Sequence, residues 1–99
     1  MAYSVAVGDR VTELCSARPF TNFLNWVARQ GGALSGHFDA ILHVQPIEDE
    51  FSPERLPQLI AELERVLALD PPADLSFIPQ LWLREARRAL ELGLPLEFI

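Results

Sequence analysis

The sequence predicts an α+β domain, a small mixed β-sheet covered on one face by three helices, and three observations carry that expectation. Segments near both ends alternate apolar and polar residues with the period of a strand. Two long segments instead repeat leucine, valine and tryptophan at helical spacing. Proline and glycine fall between these segments, so the periods change at punctuated points.

Tyr3, Val5 and Val7 alternate with Ser4 and Ala6, and Gly8-Asp9 then supplies a turn, so Tyr3–Val7 is the first expected strand. Val11 to Cys15 is a weaker returning strand. Thr21 is a suitable N-cap for a helix over Thr21–Gln30, in which Phe20, Phe23, Leu24, Val27 and Ala28 fall at i, i+3, i+4, i+7 and i+8. Gly31-Gly32 would stop it. Ala40–Val44 is a short apolar run expected to form the middle strand.

Ser52-Pro53 opens the strongest helical pattern, Pro53–Leu69, with Leu56, Leu59, Ile60, Leu63, Val66 and Leu67 on one stripe. Pro57 makes its first turn irregular because it has no backbone N–H to donate, and Asp70-Pro71-Pro72 ends it. Ser76 begins the third helix, Phe77–Leu92, which Gly93 and Pro95 close. Leu96–Phe98 alternates again and would fray unless it paired, so it is expected to join the N-terminal or the middle strand. The predicted core is Val5, Phe23, Leu24, Val27, Leu42, Leu59, Ile60, Leu63, Val66, Leu67, Trp82 and Phe98.

The 99 residues fit a single domain spanning 1–99, and 49% hydrophobic with 22% charged residues is an ordinary globular composition. Fourteen acids face eight basic residues for a net charge of −6, and every basic residue is Arg. Absence of Lys beside abundant Leu, Ala, Pro and Arg fits GC-rich coding and a bacterial source. The acidic balance argues against nucleic acid and anionic membranes as partners, since phosphate recognition needs a basic face. Cys15 is the one cysteine, which excludes an internal disulfide. The start MAYSVAVGDR reaches Asp9 and Arg10 too soon for a signal peptide, and no apolar window is long enough to span a bilayer, so a cytoplasmic location is expected.

Both histidines and the densest acids fall in HFDAILHVQPIEDEFSP. His43 with Glu48, Asp49 and Glu50 is the candidate metal or acid–base group, because imidazole and carboxylates together bind divalent ions. The spacing is not that of a helical His pair or a calcium loop. His37 and His43 would lie about 20 Å apart along a strand at about 3.3 Å per residue, too far for one ion. No cofactor is expected. Glu48, Asp49, Glu50 and Glu54 together form the candidate partner-binding surface, while acids preceding a helix also complement its dipole.

Arg84, Arg87 and Arg88 are the one local positive cluster, with Glu85 and Glu91 available for surface pairing and an anion site as the alternative. Cys15 has no activating context for a nucleophile. Ser35, in GALSGH, lacks the leading glycine of a nucleophile elbow. No complete catalytic constellation is present.

The order of an N-terminal strand, an aromatic helix (PFTNFLNWVA), an apolar run ending in His and acids (AILHVQPIEDEFSPERL), a leucine-striped helix and a last helix closed by GLPLEF resembles a family of small bacterial proteins. In that family an apolar strand ends in a His-Ser-Asp-Cys-Asp-Gly-Glu type motif before a Ser-Pro helix start, with a Pro-Leu-Glu-Phe type ending. His43, Glu50, Phe51, Ser52, Pro53, Glu97 and Phe98 match it, whereas Val44-Gln45-Pro46-Ile47 replaces the middle of the motif and the loop is one residue longer. The resemblance implies a shared fold and no particular activity. Size and acidity are similar to those of bacterial immunity and antitoxin proteins, which cover a toxin's basic active site. A non-enzymatic module binding a basic protein is therefore the expected function. A homodimer built on an apolar sheet face or on the Leu96–Ile99 edge is the structural alternative, and a metal-binding or small hydrolytic enzyme using His43 is the catalytic one.

Overall fold

A computed structural model of the chain describes residues 2–30, 38–45 and 49–99. Gly31-Gly32, Ser35, His37 and Glu48, all singled out above, lie outside the described residues. Among the described residues the elements follow in the order β1 (Ala2–Val7), β2 (Arg10–Ser16), α1 (Ala17–Gln30), α2 (Asp39–Leu42), β3 (Glu50–Phe51), α3 (Leu56–Ala68), α4 (Phe77–Leu92) and β4 (Leu96–Phe98). The fold is α+β, with helices packed on a four-stranded sheet of order β2-β1-β4-β3. Every pairing is antiparallel, where a mixed sheet was expected.

Gly8 at φ 60 lets Val7 and Arg10 pair across a two-residue turn, the geometry that favours Gly at the first central position. The β2 strand carries one extra residue, since Tyr3 faces Cys15 while Ser4 faces Glu13. That bulge turns Leu14 and Cys15 inward together. The expected tail strand is present and lies inside the sheet. Val5 pairs with Phe98 on one side of it and Phe51 with Leu96 on the other, and Ile99 extends the ladder by donating its N–H to Ser4 at 3.0 Å.

Three expectations need correction. Ala40–Val44 is not a strand: Asp39–Leu42 is the short helix α2, and His43 is its C-cap residue. The middle strand is instead Glu50–Phe51. The first helix starts at Ala17 directly after β2, four residues before Thr21, because Pro19 is compatible with a first helical turn. The second long helix starts at Leu56 and not at Pro53. Pro57 can donate no hydrogen bond, so it is accommodated in the first turn of α3, and Ser52–Arg55 forms a separate turn closed by Arg55 N–H to Ser52 O at 2.9 Å.

The third helix runs Phe77–Leu92 as expected and stops on Gly93 at φ 68. Gly93 N–H donates to Leu90 O and Leu94 N–H to Ala89 O at 2.9 Å, the paired bonds of a Schellman motif.

Val5, Val7, Leu96, Phe98 and Phe51 point to the helices, where Trp82 sits at the centre of the core. Trp82 meets Phe98 edge-on at 5.3 Å between ring centroids and Phe20 at 5.9 Å, so α1, α4 and β4 converge on one aromatic cluster. Ala86 and Ala89, fully buried on the same face of α4, permit its close approach to the sheet. Leu24, Leu42, Ile60 and Leu67, expected in the core, are partly buried and flank it.

Candidate functional site

Asp49 enters β3 through bonds that commit its carboxylate. Its Oδ1 accepts the N–H of Glu50 at 2.8 Å and a guanidinium N–H of Arg55 at 3.3 Å. The same Arg55 nitrogen donates to Glu50 O at 2.7 Å, and the guanidinium lies 4.6 Å from the centroid of the Phe51 ring. One arginine thus binds an acid, a carbonyl and an aromatic face. The first turn of α3 itself contains no acid, and Glu54 directly precedes its N-cap Arg55. Glu54 projects, exposed, from the Ser52–Arg55 turn.

Glu50 is placed differently. Strand alternation sends Phe51 into the core and Glu50 to the opposite face of the sheet, where it lies directly across from Glu97. Glu97 in turn pairs with Ala6, and Ala6 with Val11, a residue that is 59% exposed. Ser4 and Glu13 pair one step along on the same face. The face that the helices leave bare therefore presents Glu13, Glu97 and Glu50 among small or short side chains. Sequence reading concentrated on the acidic loop and missed Glu13 and Glu97. Their signal was alternation, because each flanks an inward-facing strand residue.

His43 is exposed at the end of α2. Among the described residues no three His, Cys, Asp or Glu side chains group closely enough to hold a metal ion. Cys15 is buried, and burial, aided by the nearby Glu13 charge, pushes its thiol up to about 11. It is therefore protonated at neutral pH and a poor nucleophile.

Among the described residues two glutamates are buried, and neither was expected. Glu62 on α3 accepts the N–H groups of Ala40 and Ile41 at 3.0 Å each and the side-chain amide of Gln58 at 2.9 Å. Glu85 on α4 holds Arg10 at 3.3 Å and Arg84 at 3.1 Å through Oε2, which ties β2 to α4. Glu85 Oε1 and Trp82 Nε1 are buried without a hydrogen-bond partner among the described residues. Arg87 pairs with Glu64 on α3 at 3.0 Å, and Arg88 reaches Val7 O at 3.5 Å.

No protein family matches the chain, and no curated protein or solved structure is significantly similar to it. The resemblance carried by His43 and the Ser-Pro start placed a strand where the chain forms α2. No described helix is long and apolar enough to cross a membrane.

Proposed function

We propose that this domain is a non-enzymatic binding module, an immunity- or antitoxin-like inhibitor that offers an acidic surface to a basic protein partner in the bacterial cytoplasm. The observation that carries the reading is the direct opposition of Glu50 and Glu97 on the uncovered sheet face. Like charges across a strand pair cost stability, and a basic partner would relieve that cost. Net charge −6 and the neighbouring Glu13 and Glu54 extend the same field, which would accelerate encounter with a positive surface. Of the acids nominated for this role, Glu50 and Glu54 are exposed, Asp49 is held by Arg55 and Glu48 lies outside the described residues, while Glu13 and Glu97 join the outward-facing set.

Homodimerisation through the Leu96–Ile99 edge is not supported, because β4 lies between β1 and β3 and the described edges are β2 and β3. The test of the binding reading is capture at low salt from the source organism with wild-type bait and with Glu13→Gln/Glu50→Gln/Glu97→Gln bait. Enrichment of a basic protein by the wild type alone, with association that slows as salt rises, is the expected result. A partner held equally by both baits and indifferent to salt, or no basic protein enriched at all, would overturn it.

A further inference from the structure

We infer that the groove between α3 and α4 is a site for a small amphiphilic oxyanion, a phosphate or carboxylate head on a short apolar body. The groove has a volume of about 630 Å³, inside the range of roughly 300–1,000 Å³ typical of small-molecule sites. Leu67 on α3 and Leu83 and Leu92 on α4 supply its apolar walls, and Arg84, Arg87 and Arg88 line it at i, i+3 and i+4. That spacing puts the three arginine positions on one helix face, from which Arg87 reaches towards Glu64 on α3 and Arg88 towards Val7 O on β1. Three of the eight basic residues of a strongly acidic chain thus line one groove.

The existing partners leave donors free to act. Arg84 engages Glu85 through Nε, and Arg87 engages Glu64 through Nη2, while their side chains remain 54% and 58% exposed. A guanidinium carries five N–H donors in a planar fork, so each has further hydrogen bonds to give. Exposed ion pairs such as Arg87–Glu64 are weak and exchange readily for a better-matched oxyanion. Glu91 is the acid among the lining residues, while Glu85 and Glu64 stand behind Arg84 and Arg87 as their ion-pair partners, so the head belongs at the Arg84–Arg87 end, where it competes with Glu64 for Arg87, and the apolar body along the leucines. This site lies on α4 away from the acidic sheet face, and its test is independent of the binding reading above.

The experiment is an NMR titration of the isotopically labelled full chain with hexyl phosphate, hexanoate and inorganic phosphate at one ionic strength. The expected result is saturable shifts, centred on the amides of Leu67 and of residues 80–92, for hexyl phosphate or hexanoate, with the tighter of the two identifying the head group. Affinity should exceed that of inorganic phosphate by about tenfold, the effect of roughly two buried methylenes. Arg87→Gln, at an exposed position whose folding circular dichroism checks, should weaken binding by about tenfold or more. Shifts that never saturate, that map elsewhere, that match inorganic phosphate, or that survive Arg87→Gln would each refute the site.

Discussion

Glu62 caps a helix to which it does not belong: its Oε1 accepts the N–H of Ile41, 21 residues earlier in the chain, at 3.0 Å. The other carboxylate oxygen takes the N–H of Ala40. A four-residue helix cannot sustain itself, and Phe38 at its start provides no side-chain cap. The buried carboxylate of α3 supplies what α2 lacks, and the helix N-terminus in turn favours the negative charge. Glu62→Ala should therefore lower stability by about 2–3 kcal/mol, because two backbone donors lose their acceptor. Glu62→Gln, which keeps an acceptor oxygen, should cost less. Urea denaturation of the two variants measures the difference, and equal losses would sink the capping argument.

The central position of β4 predicts that Phe98→Ala destabilises by about 3–5 kcal/mol. Phe98 packs on both Trp82 and Phe20. Removing residues 95–99 should do more, since among the described strands β3 is paired only with β4. Thermal unfolding by circular dichroism is the check, and an unchanged transition after the deletion would contradict the strand order.

Glu97→Gln should stabilise the isolated domain by about 0.2–1 kcal/mol, because it removes a like-charge pair from the sheet. The gain should shrink as salt is added. A loss of stability at low salt would show that Glu50 and Glu97 do not repel.

Cys15 makes stability depend on alkaline pH. Its folded pKa is raised from the ordinary 9.0 to about 11, chiefly by burial. Folding thus favours the protonated thiol, and this contribution is fully present below pH 9 and lost as pH rises towards 11. The loss should be on the order of 2–3 kcal/mol. No lysine titrates in this window, since the chain has none. Comparing urea midpoints of the wild type and Cys15→Ala from pH 8 to 11 isolates the thiol, and parallel curves would exclude its contribution.

The long helices and the terminal strands were legible because each carries a sustained period or a hard stop. Gly93 and Pro95 fixed the end of α4, and Tyr3–Val7 alternates through its whole length. Ala40–Val44 was not legible, because a short apolar run fits a strand and a buried helical turn equally well. What decides between them is Glu62, more than twenty residues away. The buried glutamates did leave a trace: Glu62 lies three residues after Leu59 and four before Val66, and Glu85 three after Trp82 and four before Ala89. An acid inside an apolar stripe signals a partner from another element. The acidic face was half legible, since Glu50 stood out in its cluster while Glu13 and Glu97 read as isolated charges until strand pairing brought them together.

The insertion of β4 between β1 and β3 also sets the order in which a nascent chain can mature. The β1–β2 hairpin can form while synthesis continues, but the edge of β1 that Phe98 will cover stays bare until residue 98 has left the ribosome. A chain interrupted anywhere before that point carries an open strand edge beside exposed Val5 and Trp82, the kind of surface that recruits chaperones, proteases or other copies of itself. Emergence of Leu96–Phe98 is thus the event that closes this edge of β1.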